Sequence, residues 1–483
     1  MKLNYSEVGR VLRRHNMTRQ ATQLFLGVEI ESHRVDRLTG GISQAPYPAD
    51  LSDQKQHLFI KNDYGQAQPE IITPKMVSVN DTLELLAAVN DTLRKSMTDD
   101  ESLWLYSMPP KLSTDRHEFK MAEMTPEKIK YMIAVSKRRD LAKSIQSGIH
   151  INIGLELDIL HYIYAQHFQT QYANQRDFAN DLYMKIAQGL MHYRWLFTLL
   201  FGATPFADAS FFSEGQPPKQ PVRSIRSSVF GFGNGIYGSY QNVEAYIAKI
   251  EADVAAQDLI AEREFYDVVR LKGPAKLKEL ATKGVYYIEL RTFDNNPLTQ
   301  TGINEKMIQF TELFFVYLMM TEPVFGEGAS DVDKQLLASR AKNEQVALEN
   351  PLQPSSYQKE ALDILDTLAE FTYDNHFKAY WISSLKRQLT NPVESIAAQL
   401  VGKANTDFYD AMLRDSNERQ CTNRQLACLA GFADLDQATQ QVLRKQIQLG
   451  EAFQVVDRKA GKFNLERAGK QYLLVDGKLI PRD

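Results

Sequence analysis

The sequence predicts an α+β fold, with a largely antiparallel sheet and helices packed on one side of it. Three short segments, residues 26–31, 148–153 and 287–291, alternate strictly between aliphatic and polar residues. Alternation with a period of two is typical of a half-buried strand. A further alternating segment, residues 472–480, contains an Asp-Gly pair that predicts a terminal hairpin. Between these segments, apolar residues recur at helical spacing.

The remaining elements follow from local patterns along the chain. A short helix to about residue 20 leads into the first strand, and a turn is expected at Thr39-Gly40-Gly41. Leu362, Leu365 and Leu368 fall at helical spacing. The predicted ranges are 24–74 (strand-rich), 76–100 and 126–145 (helical), 156–201 (a long helical block), 203–241 (a structured loop region), 242–281 (helical) and 340–455 (mostly helix). We predict a catalytic core over residues 1–335, and a mostly helical C-terminal region over 336–483 that packs on this core.

Composition narrows the class of protein. A net charge of −4 with 24% charged residues is ordinary for a soluble enzyme, and it argues against binding to nucleic acid or an anionic membrane surface. No apolar run approaches the roughly 18 residues of a membrane-spanning helix, and the first residues lack a signal-peptide pattern. Cys421 and Cys428 are interpreted as reduced thiols, which favours a cytoplasmic location. The oligomeric state, monomer or dimer, stays open.

The polar faces of the three strands carry groups that suit metal binding. They are Glu29, Glu31, His150, Asn152, Glu289 and Arg291. Two carboxylates two residues apart on a strand lie about 7 Å from each other, so this face is repulsive unless a cation is bound. Asp63 and Glu70 add two more carboxylates. Oxygen ligands with one imidazole favour Mg²⁺ or Mn²⁺ over Zn²⁺. Several such ions would hold a triphosphate, which predicts ATP chemistry without a P-loop motif.

The glycine-rich segment 230–238 allows two interpretations. Its loose spacing and the lack of a preceding apolar strand argue against a dinucleotide-binding turn. A loop that closes over substrate fits better, because Arg223 and Arg226 stand just before it and could bind a carboxylate.

An ordered set of motifs resembles the bacterial glutamate–cysteine ligases over roughly residues 20–350. The motifs are Gly27-Val28-Glu29-Ile30-Glu31, Asp63 with Glu70-Ile71-Ile72-Thr73-Pro74, Ser107-Met108-Pro109-Pro110, Ser147-Gly148-Ile149-His150-Ile151-Asn152, Phe201-Gly202-Ala203-Thr204-Pro205, Ser224-Ile225-Arg226-Ser227-Ser228 and Tyr287-Ile288-Glu289-Leu290-Arg291 followed by Asn296-Pro297. The chain is most similar to the ligase module that some bacteria fuse to an ATP-grasp glutathione synthetase. No second catalytic module is expected after residue 350, so we expect the first step of glutathione synthesis only.

The resemblance implies a glutamine-synthetase-like catalytic sheet and a role for each matched residue. Mg²⁺ ions that clamp ATP and the γ-carboxylate of L-glutamate would be bound by Glu29, Glu31, Asp63, Glu70, His150 and Glu289. Arg291 would neutralise the transferring phosphoryl group, with Glu29 as the second catalytic residue. Arg226 would hold the glutamate α-carboxylate. Asn152, Tyr131 and Phe232 complete the predicted substrate-binding set, with L-cysteine as the acceptor.

The sequence departs from the family pattern near the acceptor. Tyr131 is followed by Met132, where the proteobacterial branch has arginine, and Phe232 replaces an aromatic hydroxyl. Arg138 or Arg139 could compensate. A ligase that uses a different amine is therefore the main alternative. A non-catalytic nucleotide-binding protein has no reason to keep six metal-binding groups, and a metal-dependent hydrolase has no need of Arg291 beside them.

Overall fold

A computed structural model describes residues 3–113, 115, 118–212, 217–231, 233, 235–274, 276–326, 328, 330–404 and 407–482 of the protein. The helices are α1 (Glu7–Arg14), α2 (Val79–Ser96), α3 (Pro126–Ser136), α4 (Leu141–Ser144), α5 (Leu157–His167), α6 (Gln175–His192), α7 (Arg194–Phe201), α8 (Val243–Ala255), α9 (Leu280–Lys283), α10 (Glu305–Met320), α11 (Val332–Ala347), α12 (Gln358–Asp374), α13 (Ile382–Thr390), α14 (Ile396–Lys403), α15 (Phe408–Gln425) and α16 (Gln437–Leu449). None of these helices combines the length and the apolar character that crossing a membrane requires.

The strands form three antiparallel sheets. They are β1 (Leu24–Glu31), β2 (His33–Asp36), β3 (Ile60–Asn62), β4 (Pro69–Ile72), β5 (Glu101–Trp104), β6 (Ile149–Leu155), β7 (Val269–Lys272), β8 (Tyr287–Phe293), β9 (Phe453–Asp457), β10 (Lys462–Arg467), β11 (Lys470–Val475) and β12 (Lys478–Pro481). The largest sheet has six strands in the order β3-β4-β1-β6-β8-β7, and β2 pairs with β5. The predicted α+β class with an antiparallel sheet is confirmed.

One face of the six-stranded sheet is apolar and fully buried. Val28, Ile151 and Ile288 have no exposed side-chain surface. Helices α2, α6 and α7 contact strands of this sheet, and α10 packs in turn on α2 and α6. Because every second residue of a strand points the other way, this burial leaves the polar face free for chemistry.

The sheet register brings the polar residues of neighbouring strands together. Glu29 pairs with His150, Asn152 with Glu289, and Glu31 with Glu70. Between Ile149 and Ile151 the pairing with β8 shifts, so that β8 contains one extra residue around Arg291 and Thr292. A bulge of this kind bends the strand and redirects a side chain. It lies here next to the paired polar residues of the sheet.

Strand β7 is the main departure from the predicted elements. Residues 242–281 were expected to be helical, but α8 ends at Ala255 and β7 adds an edge strand to the sheet. The outer edge of β7 is closed by two tyrosines that flank the start of α8: Tyr240 donates to the Val269 carbonyl at 2.5 Å, and Tyr246 accepts from the Leu271 amide at 3.4 Å.

The C-terminal region is helical and then folds as a second sheet. Helix α15 contacts β5 and α2, and α16 contacts α2, so this region packs on the core. The predicted hairpin is β11 and β12, with Asp476 and Gly477 at φ 47° and 72° in the turn. Strands β9 and β10 extend it to four strands, where helix was expected up to residue 455. The division at residue 335 stays a prediction, and α11 crosses that position.

Candidate active site

An acidic cluster with one histidine occupies the polar face of the six-stranded sheet. Strand β1 supplies Glu29 and Glu31, β6 supplies His150, and β8 supplies Glu289. His150 lies at the centre: its Nδ1 is 3.1 Å from Glu29 Oε2 and 3.8 Å from Glu289 Oε1, and its Nε2 is 3.7 Å from Glu31 Oε1.

The cluster contains two sets of three possible metal ligands that share His150. One set is Glu29, His150 and Glu289, and the other is Glu31, Glu70 and His150, with ligand atoms within 4.8 Å of one another in each set. His150 Nε2 is buried and has no hydrogen-bond partner among the described residues. Oxygen-rich donors with one imidazole suit a hard divalent cation, so these residues fit Mg²⁺ or Mn²⁺. Asp63 belongs to neither set.

The electrostatics of the cluster show an excess of negative charge at one end. Burial raises the pKa of Glu70 well above its usual value, and the charges of Glu29, Asp63 and Glu31 raise it further. Burial likewise raises the pKa of Glu31. A bound cation would lower both pKa values, because it favours the ionised carboxylates.

The other end of the cluster is bordered by cations. Arg291 Nη1 donates to Glu289 Oε1 at 2.5 Å, and Lys272 Nζ lies 2.9 Å from Glu289 Oε2. Burial raises the pKa of Glu289, but Arg291, Arg270 and Lys272 outweigh it and hold the pKa well below the usual value. Arg270 and Lys272, on β7, were missed in the sequence. The sequence pattern that could have indicated them is the alternation Val269-Arg270-Leu271-Lys272.

Arg226 is held in a narrow space against β6. A Cβ atom on Gly148 would lie 2.0 Å from Arg226 Nη2, so only glycine leaves room for this guanidinium. Arg226 Nη1 is 3.8 Å from Asp294 Oδ1. Asp294 Oδ2 accepts hydrogen bonds from the Ala203 amide at 2.8 Å, Thr204 at 2.9 Å and Ser224 at 2.7 Å. These bonds fix the carboxylate that faces Arg226.

The other predicted substrate-binding residues lie in different surroundings. Asn152 Nδ2 donates to Glu29 Oε1 at 2.9 Å, so it orients that carboxylate. The Tyr131 hydroxyl is 3.4 Å from the Tyr266 hydroxyl, and the Arg139 guanidinium stacks on the Tyr266 ring at 4.6 Å. Met132 is 2% exposed, in the core. Phe232 lies outside the described residues.

Two arginines suggested by the sequence are engaged elsewhere. Arg223 Nε donates to Glu349 at 3.1 Å and its Nη2 to the Gln353 carbonyl at 2.8 Å. Arg138 donates to the Gln257 carbonyl at 2.6 Å. The suggestions that Arg223 binds the carboxylate of a substrate and that Arg138 compensates for Met132 are therefore not supported.

A cavity of about 470 Å³ adjoins the acidic face. Arg226 and Arg291 line the side next to the cluster, together with Tyr266. Helices α7 and α11 form the far side through Arg194 and Arg340. This volume lies within the range of small-molecule sites.

Comparisons with known proteins indicate one family. A sequence profile described as glutamate-cysteine ligase matches residues 10–258 and 234–334. The chain is 31% identical over 468 residues to the glutathione biosynthesis bifunctional protein GshAB of Streptococcus agalactiae serotype V, covering 93% of this chain and 60% of that protein. It is 31% identical over 444 residues to the protein of the same description from Pasteurella multocida, covering 89% and 57%. The chain thus spans about 60% of the length of these relatives.

Solved structures show the same fold. The crystal structure of a bifunctional glutathione synthetase from Pasteurella multocida superposes with a TM-score of 0.87 at 27% identity, covering 99% of this chain and 62% of that one. A glutamate–cysteine ligase from Francisella tularensis, solved in complex with AMP, gives 0.74 at 19% identity, covering 88% and 92%. Since the family profile covers more than half of the residues and the relatives exceed 30% identity, the chain belongs to the glutamate–cysteine ligase family.

Proposed function

We propose that the protein joins the γ-carboxylate of L-glutamate to the amine of L-cysteine with consumption of ATP, the first step of glutathione biosynthesis. The observation that carries this proposal is the arrangement of arginine and lysine side chains around the acidic cluster. Arg291 and Lys272 contact Glu289 at one end, and Arg226 lies beside the cavity that adjoins the cluster. One end suits a phosphoryl group, and the cavity suits an amino acid with a carboxylate.

The metal ligands of this proposal are the residues of the cluster. Glu29, His150 and Glu289 would hold one Mg²⁺ or Mn²⁺, and Glu31 and Glu70 with His150 a second, while Asp63 contributes negative charge close to them. When bound, the ions neutralise the triphosphate and the reacting carboxylate. Asn152 keeps Glu29 oriented by its hydrogen bond.

The proposed reaction has two steps. An oxygen of the glutamate γ-carboxylate attacks the γ-phosphorus of ATP, which forms γ-glutamyl phosphate and releases ADP. The acceptor nitrogen then attacks the carbonyl carbon, the C–O bond to phosphate breaks, and the nitrogen loses a proton as the amide forms. Arg291 neutralises charge on the transferring phosphoryl group, and Arg226 holds the α-carboxylate. The residues mainly position the reactants and stabilise charge.

The acceptor site is assigned to the aromatic side of the cavity. Burial raises the pKa of Tyr131, with further contributions from Tyr266, so its hydroxyl stays protonated and pairs with the Tyr266 hydroxyl at 3.4 Å rather than acting as a base. Phe232 is proposed as the second aromatic contact. A pocket of this kind favours a small, weakly polar side chain such as that of cysteine.

A related ligase with a different amine is the second candidate, because buried Met132 supplies no charge at the position where an arginine is expected. The test measures ADP formation with Mg²⁺, glutamate and each of L-cysteine, L-2-aminobutyrate and L-serine. We expect cysteine and 2-aminobutyrate to differ by about 1–3 kcal/mol in kcat/KM, since an apolar pocket separates near-isosteres poorly. Serine should be worse, because its hydroxyl is buried without a partner.

Three outcomes contradict these assignments. Serine as good as cysteine rules out the apolar pocket. No turnover with cysteine, together with turnover of a larger amine, favours the second candidate. Equal ATP binding with and without Mg²⁺ in titration calorimetry would remove the metal-binding role of the cluster.

We further propose a cytoplasmic location, which agrees with two free cysteines, Cys421 and Cys428.

A further inference from the structure

The far wall of the 470 Å³ cavity carries a buried arginine, Arg194, that has no role in the proposed function. Arg194, the first residue of α7, has a side chain that is 14% exposed and lines the cavity. Its Nε is buried and donates to no acceptor among the described residues. A buried N–H without a partner is costly, and because Arg194 also lines the cavity, its position favours a ligand.

The neighbouring charges do not satisfy Arg194. Asp267 is bound by Arg340 through two hydrogen bonds, of 2.8 and 2.5 Å, whereas Arg194 Nη1 remains 3.9 Å from Asp267 Oδ1. Glu344 also lines the cavity, but burial raises the pKa of its carboxyl group. Burial lowers the pKa of Arg194 to about 10, which still leaves it charged at neutral pH.

The four arginines of the cavity wall differ in how they are paired. Arg291 contacts Glu289, Arg226 faces Asp294, and Arg340 binds Asp267. Against these four cations, the described lining residues include two carboxyl groups, Asp267 and Glu344. Three of these arginines each face a carboxylate, whereas Arg194 shares Asp267 with Arg340 and lies farther from it. An anion is therefore the ligand that Arg194 favours.

Hydrogen bonds connect the far wall to the opposite side of the cavity. Thr198 on α7 donates to Asn343 on α11 at 2.7 Å, and Asn343 donates to the Ser227 carbonyl at 2.9 Å. Ser227 follows Arg226 directly, so the two sides of the cavity are tied together. At the rim, Val229 and Leu337 are 62% and 52% exposed, which provides apolar surface for a small side chain.

We propose that Arg194, supported by Arg340 and Asp267, binds the α-carboxylate of the amine acceptor. This inference rests on the proposed function, because the acceptor amine must reach the γ-carbonyl beside Arg291 while the rest of the acceptor occupies the cavity. Arg226 is already assigned to the donor carboxylate, so a second carboxylate needs a second guanidinium. A guanidinium can bind both oxygens of a carboxylate.

The test compares two acceptors that differ only in the carboxylate, L-2-aminobutyrate and n-propylamine, in the wild type and in Arg194→Gln. We expect KM for 2-aminobutyrate to rise roughly 10- to 100-fold, the usual range for a lost charge-assisted hydrogen bond. KM for propylamine and KM for glutamate should stay unchanged. Arg194→Lys should recover part of the affinity, since it keeps the charge and loses the fork. Arg14→Gln, at an exposed position on α1, is the matched control.

Each other outcome decides against the proposal. If KM rises equally for both acceptors, Arg194 has only a structural role. If KM for glutamate rises instead, Arg194 binds the donor. If Arg139→Gln shows the carboxylate-specific rise and Arg194→Gln does not, the acceptor carboxylate lies at the Tyr131–Tyr266 side. A wild type that forms no product with any amine rejects the proposed function itself, which is a different result from all of these.

Discussion

Two buried clusters of charged side chains lie close together along the chain and are neutralised in opposite ways. In the first, Arg34 on β2 and Glu101 on β5 form an ion pair of 2.7 Å, with side chains 0% and 2% exposed. Arg34 also donates to the carbonyls of Pro46, Ala45 and Gln66, and Glu101 accepts from Ser43 and Thr98. In the second, Glu31 and Glu70 face each other across β1 and β4 with raised pKa values caused by burial.

The difference separates a structural charge from a functional one. Apart from Arg34 Nε, which has no partner among the described residues, the Arg34–Glu101 pair is hydrogen-bonded within the protein, so its removal should affect folding. In the proposed function the acidic cluster binds cations from solution, so its removal should affect catalysis and spare the fold. Buried polar groups without partners are a sign of a binding site, whereas buried polar groups with partners are a sign of architecture.

The largest expected effect is on the structural pair. Arg34→Met leaves Glu101 buried without its cation, which should lower the free energy of unfolding by about 3–5 kcal/mol. Urea denaturation followed by circular dichroism measures this change. The double variant Arg34→Met/Glu101→Leu should recover most of the loss, because no buried charge is then left alone. A loss below about 1 kcal/mol in the single variant would contradict the assigned role.

The second prediction concerns the acidic cluster. Glu29→Gln should lower kcat by at least about 10²–10³-fold, comparable with the loss of one essential electrostatic contact. The melting temperature should change little, because the amide oxygen of glutamine can still accept the hydrogen bond from Asn152. Glu305→Gln, on the exposed side of α10, is the control for a neutralised glutamate. Substantial activity in Glu29→Gln would remove this residue from the metal ligands.

The third prediction concerns Arg291, which is paired with Glu289 and lines the cavity. Arg291→Lys should lower kcat about 10- to 100-fold and leave KM for ATP nearly unchanged, since lysine keeps the charge but loses the planar fork. Steady-state kinetics at saturating glutamate give both constants. A sharp rise in KM for ATP at constant kcat would instead identify Arg291 as a ground-state contact.

The smallest expected effect tests a buried carboxyl group that has no cation nearby. Burial raises the pKa of Glu312, on α10, to about 8. A raised pKa in the folded state means that stability is fully present below the usual pKa of 4.5 and is lost as the pH rises through 8. Glu312→Gln should therefore be more stable than the wild type at pH 8, by at least about 1–2 kcal/mol, and equal to it at pH 4. Equal stability at both pH values would show that solvent reaches this carboxyl group.

The sequence predicted the parts of the site that lie on long alternating strands. Glu29, Glu31, His150 and Glu289 were expected on one polar face, and the structure brings them together. The roles of these residues as ligands stay predictions. The family resemblance and the fold class are confirmed by the comparisons. Strict alternation over five or more residues is a strong signal, because few other structures produce it.

The missed parts have weaker local signals. Strand β7 has four residues, too few to separate it from the surrounding helical pattern. Arg194 begins a helix whose other residues are all buried, and its position in the cavity depends on contacts with α11, far along the chain. The pairing of Arg223 with Glu349 is also a long-range contact. Such pairings depend on tertiary packing, which a local pattern does not encode.

The closed outer edge of β7 has a consequence for solubility. An open edge strand is a template on which another chain can add a strand and start to aggregate. Here the hydroxyl groups of Tyr240 and Tyr246 occupy the backbone positions that an incoming strand would use. The same strand carries Arg270 and Lys272, whose charged groups would lose hydration on pairing with an apolar strand. A strand that places cations beside Glu289 thus also keeps the edge of the sheet from pairing with another chain.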